Sequence, residues 1–441
     1  MINKIQRKLK GEFLKNFLLL AIATFFGKGL GFFKEMMIAN YFGTSHELDI
    51  LIFSLTLAGT FLTVLSGGMG SSVLPNYLRF KNISLSKKNT YLFAVFTIFI
   101  ILILFVYVLI LFAGKDIINL ITPGFSSQDV FDASIYLNMF IVYIAFAFLS
   151  VFFMILLKAE KKFFVSGIIP SLIPASIMLL IYFQYAKGVV SIAYGLIIGA
   201  VLQLLVSWIK SHGYFSWREI QFNELVKNYK SITKKYSVLL GSGLFIGLIG
   251  ITDQSFATMA GVGAVSSLSY AQKLPALLDG VIVMILGTIL FSTFAENVAL
   301  SKHSENQKFY IKTLKVVTIL TVSVSVFLSF FSKELVDIVF VRGKFDYSSL
   351  MMVYPVQTAF FLKLPFIAIA IISARMMNSY ELNKEMLYIN VFSFALNGIL
   401  DYVLVTRYGV VGIAYATLFT YMWAASLNYL VVSKHFNKVV Q

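Results

Sequence analysis

Cysteine is absent from this sequence, and charged residues are scarce. Without cysteine there is no disulfide framework, no thiol catalysis and no thiolate metal site. Charged residues make up 13% of the 441 residues, about half of the share that is usual in a soluble domain. The four histidines are scattered along the chain, so we predict no metal site: they are His46, His212, His303 and His435.

What the sequence has instead is long apolar runs, such as the uncharged stretch from Tyr91 to Gly114. A helix of about 20 apolar residues crosses the hydrocarbon core of a bilayer, whereas barrel strands alternate over about ten residues. We therefore predict an all-α polytopic membrane protein with about twelve transmembrane helices. The predicted spans are Asn16–Tyr41, Asp49–Leu78, Tyr91–Gly114, Ala133–Leu157, Phe164–Gln184, Val189–Trp208, Tyr236–Ala260, Ala264–Phe294, Phe309–Phe331, Leu350–Ala374, Met386–Thr406 and Val410–Val432.

Lysine and arginine are unevenly divided between the loops. One set of loops is rich in them, at residues 4–15, 79–88, 158–162 and 210–235, and the opposite set holds few. Positively charged loops stay in the cytoplasm, so both termini are predicted to be cytoplasmic. The net charge of +16 is then explained by membrane orientation, and we predict no nucleic-acid partner. No loop is long enough to fold as a catalytic domain, which favours a transporter over an enzyme.

An internal repeat divides the chain. Gly188–Tyr194 recurs as Gly409–Tyr415 with six of seven positions identical, an offset of 221 residues that also pairs Glu160 with Glu381. We predict two six-helix lobes, 1–211 and 236–441, joined by a cytoplasmic linker at 212–235. Parallel repeats are related by an axis along the membrane normal, place a substrate site at the repeat interface and support alternating access.

Several charges lie inside the predicted spans, where each costs about 2.5–3.5 kcal/mol on insertion scales. We predict that the lysines line a hydrated cavity and bind an anionic substrate, with phosphate or pyrophosphate as the natural ligand of an ammonium group. Lys28 and Lys363 have no obvious acidic partner, whereas Lys34 with Glu35, and Asp253 with Lys273, either form static pairs or serve the cavity. Asp401 is predicted near the outer interface, six residues from Arg407, where it either extends to the interface or serves the cavity. The intramembrane charges are Lys28, Lys34, Glu35, Asp253, Lys273, Asp279, Lys363 and Asp401.

Glycines and prolines are predicted to bend or pack the spans that contain them, since proline frees a backbone carbonyl and kinks a helix. They cluster in the second, fifth, eighth and tenth spans, as Gly67, Gly68, Gly70 and Pro75, Pro170 and Pro174, Pro275, and Pro365.

Seven short motifs follow one another over nearly the whole chain. They are Gly27–Glu35, Ala39–Gly43, Leu48–Asp49, Ile121–Phe125, Val265–Leu274, Gly287–Leu290 and Val341–Asp346. In this order and spacing the chain resembles the bacterial lipid II flippases of the MurJ type, which belong to the multidrug/oligosaccharidyl-lipid/polysaccharide exporter superfamily. The resemblance implies a fold like that of the multidrug exporters of this superfamily and a location in the bacterial inner membrane.

The resemblance also implies roles for individual residues. Arginines of the family's first helix line a cationic cavity, and Lys28 and Lys34 stand at those positions; the family's helix-2 aspartate matches Asp49, and Gln272–Lys273 matches an Asp-Arg pair. We therefore expect four lysines to bind pyrophosphate and four acidic residues to pair with them during gating. The substrate-binding set is Lys28, Lys34, Lys273 and Lys363, and the gating set is Glu35, Asp49, Asp253 and Asp279.

The implied function is flipping of a polyprenyl-pyrophosphate-linked saccharide from the cytoplasmic to the outer leaflet. The family usually has fourteen helices, whereas the predicted twelve are usual for O-antigen and capsule flippases, so the cargo stays open between a lipid II-like precursor and a polysaccharide repeat unit. We expect a monomer without a cofactor, with a proton or sodium ion as coupling ion. The alternatives are a cation-coupled multidrug antiporter of the same fold and a membrane glycosyltransferase or polymerase.

Overall fold

The protein is described here by a computed structural model of residues 2–67, 69–218 and 220–439, with side chains except at 2–18, 71, 234–235, 237–247, 281, 284–285, 287–289 and 291–292. These residues form sixteen α-helices and no strand ladder. The helices are α1 (Ile2–Phe42), α2 (His46–Ser66), α3 (Met69–Lys81), α4 (Leu85–Ile121), α5 (Ser127–Ala159), α6 (Phe163–Ile168), α7 (Leu172–Gln184), α8 (Val190–Ser211), α9 (Phe222–Ala257), α10 (Ala264–Ala299), α11 (His303–Phe330), α12 (Ser332–Phe340), α13 (Tyr347–Leu362), α14 (Leu364–Ser379), α15 (Asn383–Tyr408) and α16 (Val410–Val439).

The predicted all-helical membrane fold is confirmed. Among the described residues, nine helical segments are long and apolar enough to cross a membrane, and each coincides with a predicted span. The other three predicted spans fall on α1, α9 and α10, which are 41, 36 and 36 residues long. At about 1.5 Å per residue, each of these is also long enough to cross a bilayer. All three include side chains outside the description.

The chain forms two compact units. Unit 1 comprises residues 1–42, 54–120 and 127–247, and unit 2 comprises 43–53, 121–126 and 248–441. The predicted lobe boundaries at 211 and 236 stay a prediction. The segment predicted as a linker contains a short 3₁₀ turn at His212–Tyr214, and from Phe222 onward it is already part of α9.

Three of the predicted spans are broken at their glycines and prolines. The second span divides into α2 and α3 at Gly67, and the hydroxyl of Tyr236 donates to the Leu65 carbonyl beside that break. The fifth span divides into α6 and α7 around a 3₁₀ turn, Ile169–Ser171, that contains Pro170. Pro275, by contrast, lies inside an unbroken α10. Proline thus breaks the helix in some spans and is accommodated in another.

The tenth span divides into α13 and α14 at Lys363, two residues before Pro365. Proline has no backbone N–H, so the Phe361 carbonyl four residues earlier loses its helical donor. The Ser325 hydroxyl of α11 donates to that carbonyl over 2.7 Å, and both residues are buried. A side chain of a neighbouring helix therefore replaces the missing hydrogen bond, as is required where no water is present.

The internal repeat is visible in the backbone. Gly188 ends the turn before α8 with φ 67° and ψ −153°, and Gly409 precedes α16 with φ 58° and ψ −143°. These angles lie in a region that glycine enters without a Cβ penalty, which explains why glycine occupies both positions. The two halves therefore repeat a conformation as well as a sequence.

A second recurring turn joins consecutive helices through a left-handed residue that is not glycine. It occurs at Lys161, Ser301 and Glu381, with φ of 58°, 55° and 57°. The pairing of Glu160 with Glu381 predicted from the sequence offset is thus wrong by one residue, because Lys161 holds the equivalent position. From its left-handed residue to its repeated glycine, the first half is one residue shorter than the second half. The 3₁₀ turn at Pro170 lies in the first half and rises about 2.0 Å per residue, so its extra length replaces about one α-helical residue.

Candidate functional site

Lys28 lies on α1 in unit 1 and is exposed. Among the described residues it has no ion pair or hydrogen bond. The buried face of this helix runs through Ala23, against which Gly167 of α6 packs. The exposed aromatic residues Phe26 and Phe33 lie on another side, and at 3.6 residues per turn Lys28 lies roughly opposite both of them. Lys28 is therefore an exposed, uncompensated cation opposite Phe26 and Phe33, although the exposed Phe25 lies about 60° from it around the helix.

Lys34 and Glu35 follow one turn and a half later on the same helix. The Lys34 ammonium lies 2.6 Å from the Glu35 carboxylate, and the two side chains are 17% and 13% exposed. Of the two interpretations of this pair, the structure therefore has the ion pair. Neither charge is fully buried, so the pair can be reached from outside the helix bundle of unit 1.

Lys363 and Asp279 form an ion pair within unit 2, with the Lys363 ammonium 3.6 Å from the Asp279 carboxylate. The prediction that Lys363 has no acidic partner is therefore wrong. Lys363 stands at the break between α13 and α14, and its ammonium also lies 4.9 Å from the centre of the Phe360 ring and 5.4 Å from that of Tyr421. Aromatic faces attract cations, so this lysine is held by one carboxylate and two rings.

Asp253 is buried in unit 2 and is bound by two neutral side chains. The Asn397 amide donates to it over 2.8 Å and the Thr417 hydroxyl over 3.1 Å. The same amide donates over 2.6 Å to Asp401, so one amide bridges the two carboxylates. Asp253 is thus held by neutral side chains rather than by the predicted pair with Lys273, which is half-buried on α10. Asp401 is fully buried rather than at the interface beside Arg407.

This acidic cluster (Asp253, Asn397, Asp401 and Thr417) has more acceptor oxygens than donors. Within the part of the chain that the structure describes, the Asn397 carbonyl oxygen and one Asp401 oxygen are buried without a hydrogen-bond partner, as is the hydroxyl of Thr420 on α16. Two adjacent carboxylates cannot both stay negatively charged at such close range without a compensating positive charge. The cluster can therefore hold a proton shared between the carboxylates, or a hard cation, which prefers oxygen ligands.

Asp49 holds a helix terminus in place. Its two carboxylate oxygens accept from the backbone N–H groups of Gly263 and Ser266, over 2.6 and 2.7 Å, at the start of α10. Asp49 itself lies in the first turn of α2 and is 2% exposed. The positive ends of two helices thus surround one buried carboxylate, the arrangement that helix dipoles favour. Its two short hydrogen bonds come from backbone amides, and a gating pair with lysine stays a prediction.

Several of the motifs that carry the family resemblance pack against one another in unit 2. Gly43 has φ +59°, and a Cβ there would lie 2.4 Å from the Lys344 carbonyl oxygen. A Cβ on Gly124 would lie 2.1 Å from the Thr258 carbonyl oxygen. The Tyr270 hydroxyl donates to the Gly43 carbonyl over 3.1 Å. These motifs therefore encode close backbone contacts in unit 2.

Asn397, Thr417 and Tyr421 were missed by sequence reasoning because none is charged. Asn397 precedes Asp401 by four residues, so both occupy one face of α15. That spacing was the available signal, because an amide and a carboxylate on one face of an apolar helix can satisfy each other by a hydrogen bond. Thr417 and Tyr421 repeat the same spacing on α16, but their partners come from distant segments.

Comparisons with known proteins identify the family to which the chain is similar. A family model described as lipid II flippase MurJ matches residues 38–440. A probable lipid II flippase MurJ of Borreliella burgdorferi is 25% identical over 435 residues, covering 97% of this chain and 85% of that protein. The lipid II flippase MurJ of Thermosipho africanus is 25% identical over 405 residues, covering 91% and 82%.

Two solved structures share the fold. One is a lipid II flippase MurJ in an inward closed conformation, with 24% identity, a TM-score of 0.82 and coverage of 96% of this chain and 90% of that one. The other is an inward-facing multidrug resistance MATE family transporter of the MOP superfamily, with 14% identity, a TM-score of 0.81 and coverage of 96% and 98%. The family model spans most of the sequence and the fold agrees with it, so the chain belongs to the lipid II flippase MurJ family of multi-pass bacterial membrane transporters.

Proposed function

We propose that this protein flips lipid II from the cytoplasmic to the outer leaflet of the bacterial inner membrane, with both termini in the cytoplasm. Membership of the MurJ family favours lipid II over a polysaccharide repeat unit as the cargo. The observation that carries the role of the site is Lys28, a cation on an apolar helix with no counter-ion among the described residues. Keeping such a charge is costly, and a pyrophosphate group supplies the missing anion.

The other predicted lysines contribute to differing degrees. Lys34 is paired with Glu35, and Lys363 is paired with Asp279. Each lysine must therefore release that carboxylate before it can bind the substrate. Lys273 is half-buried on α10. We infer that Lys28 makes the primary contact with pyrophosphate in unit 1, and that Lys34 joins it when Glu35 moves away; Lys273 and Lys363 stay predicted substrate contacts of unit 2. An ammonium group is a point charge with rotatable donors, which suits a mobile phosphate.

We further propose that the acidic cluster (Asp253, Asn397, Asp401 and Thr417) is where the coupling ion acts. Its buried, unsatisfied oxygens can accept a proton or a sodium ion. Binding of the ion would neutralise one carboxylate and tie together α9, α15 and α16, which supply the side chains. A change in how these helices pack is a means by which an ion gradient can drive a transport cycle.

The test of the substrate role is genetic. In a strain depleted of its own lipid II flippase, expression of the wild-type chain should restore growth, Lys28→Ala should fail, and Lys28→Arg should restore it. Lys302→Ala is the matched control, since that lysine is exposed and its pair with Glu305 is of the surface type that contributes little. All variants must reach the membrane in equal amounts. Normal growth with Lys28→Ala would refute the role of Lys28, and failure of the wild-type chain itself would refute lipid II as cargo.

The test of the coupling role uses purified protein. If sodium is the ion, replacing potassium by sodium should raise the melting temperature of the wild type, and Asp401→Asn should abolish that rise. If a proton is the ion, sodium should have no effect and flipping in liposomes should depend on an imposed pH gradient until Asp401 is replaced. Flipping that is indifferent to both ions and to Asp401→Asn would contradict the assignment. The multidrug antiporter alternative, which buried carboxylates would also suit, predicts drug efflux in the same liposomes.

A further inference from the structure

Unit 2 has a groove that the substrate and coupling residues do not use. It lies between α11, α14 and α16 and has a volume of about 570 Å³, within the range of pockets that hold small organic ligands. Its apolar walls include Ile311, Leu314 and Ile319 of α11 and Phe366 and Ile369 of α14. A groove of this composition accommodates an aliphatic chain.

The groove also has polar groups, and one of them is cationic. Lys315 and Thr318 of α11 line it, as do Ser426 and Tyr429 of α16. Tyr429 is 45% exposed, so its hydroxyl can reach a ligand at the mouth of the groove. An apolar channel with an ammonium group and hydroxyls is complementary to an amphiphile that has an anionic head.

Lys315 continues a row of lysines. Lys308, Lys312 and Lys315 are four and three residues apart on α11, so they lie along one side of the helix. All three are exposed, and among the described residues none of them has an ion pair. Lys308 and Lys315 are separated by about 10 Å along the helix axis. The row therefore presents a line of uncompensated positive charge that leads into the groove.

Depth distinguishes this row from ordinary surface lysines. The ninth predicted span begins at Phe309, which puts Lys315 about 9 Å inside it and Lys308 just outside it. Lysines at such positions extend their ammonium groups to the interface, and the basic loops predict that this end of α11 is cytoplasmic. Basic pockets between transmembrane helices on the cytoplasmic side bind anionic lipid headgroups.

We propose that this groove binds an anionic glycerophospholipid of the cytoplasmic leaflet, with its phosphate on the Lys308–Lys315 row and an acyl chain against Ile311 and Phe366. Charge complementarity decides between the occupants. A second copy of the chain would bring a second row of lysines toward the first, and a zwitterionic lipid would leave three cations without a net counter-charge. The residues of this site do not include Lys28 or the acidic cluster, so lipid binding here can be tested independently of the flipping activity.

The absence of cysteine allows a direct test. Val322, one turn beyond Thr318 on the same side of α11 and 42% exposed, is replaced by cysteine and labelled with a fluorophore. The labelled protein is reconstituted in liposomes of phosphatidylcholine with increasing brominated phosphatidylglycerol, whose bromine quenches the label on contact. Brominated phosphatidylcholine at the same mole fractions gives the reference for unspecific contact. Leu104→Cys on α4, 55% exposed, is the matched control label at an apolar surface of unit 1.

We expect brominated phosphatidylglycerol to quench the Val322 label at lower mole fractions than brominated phosphatidylcholine, and the Leu104 label equally with both. Each Lys→Gln change in the row should lower the relative affinity about fivefold, since a lysine near the surface contributes about 1 kcal/mol to binding of anionic lipid. The triple variant Lys308→Gln/Lys312→Gln/Lys315→Gln should lose the preference, and the corresponding triple arginine variant should keep it. Unchanged elution and melting temperature would show that both variants fold.

Four results would overturn the proposal. Two are equal quenching of the Val322 label by the two lipids and a preference that survives in the triple glutamine variant. The third is displacement of brominated phosphatidylglycerol by undecaprenyl phosphate at a lower mole fraction, which would assign the groove to the polyprenyl chain of a carrier lipid. The fourth is self-quenching between labelled copies, which would assign the groove to a dimer.

Discussion

The carboxylate of Asp49 offers the sharpest test of how the structure is held together. It is 2% exposed and accepts two short hydrogen bonds, from the N–H groups of Gly263 and Ser266. Asp49→Ala would leave both donors buried without a partner. Each buried donor left unsatisfied costs about 1–3 kcal/mol, so we expect a loss of about 2–6 kcal/mol in the free energy of unfolding of unit 2.

The assay is the melting temperature of the detergent-purified protein, followed by the fraction that remains monodisperse after heating. For a unit of about 200 residues, 1 kcal/mol corresponds to about 2–4 °C, so Asp49→Ala should melt at least about 4 °C lower. Asp49→Asn keeps one acceptor oxygen and should lose about half as much.

Asp132→Ala is the control, because that aspartate accepts only one exposed hydrogen bond, from Gln128. It should leave the melting temperature nearly unchanged. A change of less than about 2 °C for Asp49→Ala would refute the capping argument. If transport were lost at the same time, Asp49 would instead have the gating role predicted from the family.

Three further predictions use the same melting assay. The Glu160 carboxylate accepts from Lys81 over 2.6 Å; burial would raise its pKa, but the hydrogen bonds from Lys81 and Tyr77 hold that pKa below its ordinary value. Glu160→Gln should therefore destabilise the protein at neutral pH, and the difference should shrink as the pH falls below about 4.3, where the carboxylate of the unfolded chain becomes protonated, and disappear once the pH is below the lowered pKa of the folded state. Glu381→Gly should stabilise the protein by about 1 kcal/mol, because it removes a Cβ from a left-handed position, and an unchanged or lower melting temperature would contradict this. Asp279→Asn should cost about 3 kcal/mol, the lower end for a buried pair that loses one partner, by leaving Lys363 without its carboxylate, and Asp279→Asn/Lys363→Met should recover most of that loss; no recovery would contradict the pairing.

The sequence alone was sufficient for features that depend on neighbouring residues. The spans follow from uninterrupted apolar runs, and the breaks at Gly67 and Pro365 follow from the backbone properties of glycine and proline. The Gly188 and Gly409 turns could also be anticipated, since a repeated motif that begins with glycine indicates a repeated backbone conformation. Local chemistry marks where a helix can break, whereas packing decides whether it does, since Pro275 lies inside an unbroken α10.

The partners of the intramembrane charges could not be predicted in the same way. Lys363 was expected to lack a counter-ion, and it has Asp279 because α10 and α13 pack side by side. Asp401 lies near Arg407 in sequence, yet the rotation of α15 turns it inward to Asn397 and Asp253. Depth along a helix follows from residue counting, whereas the direction of a side chain depends on how each helix is rotated in the bundle.

Ser325 and Pro365 are far apart in the chain, but both act on the same backbone carbonyl, that of Phe361. The proline removes the helical donor of the Phe361 carbonyl, and the serine supplies a donor in addition to the N–H of Lys363. Substituting the serine while keeping the proline would leave that buried oxygen with one donor fewer, while losing the proline would make the serine dispensable. Among relatives of this chain, the two positions should therefore change together, and small hydroxyl residues should be found at the first wherever proline is kept at the second.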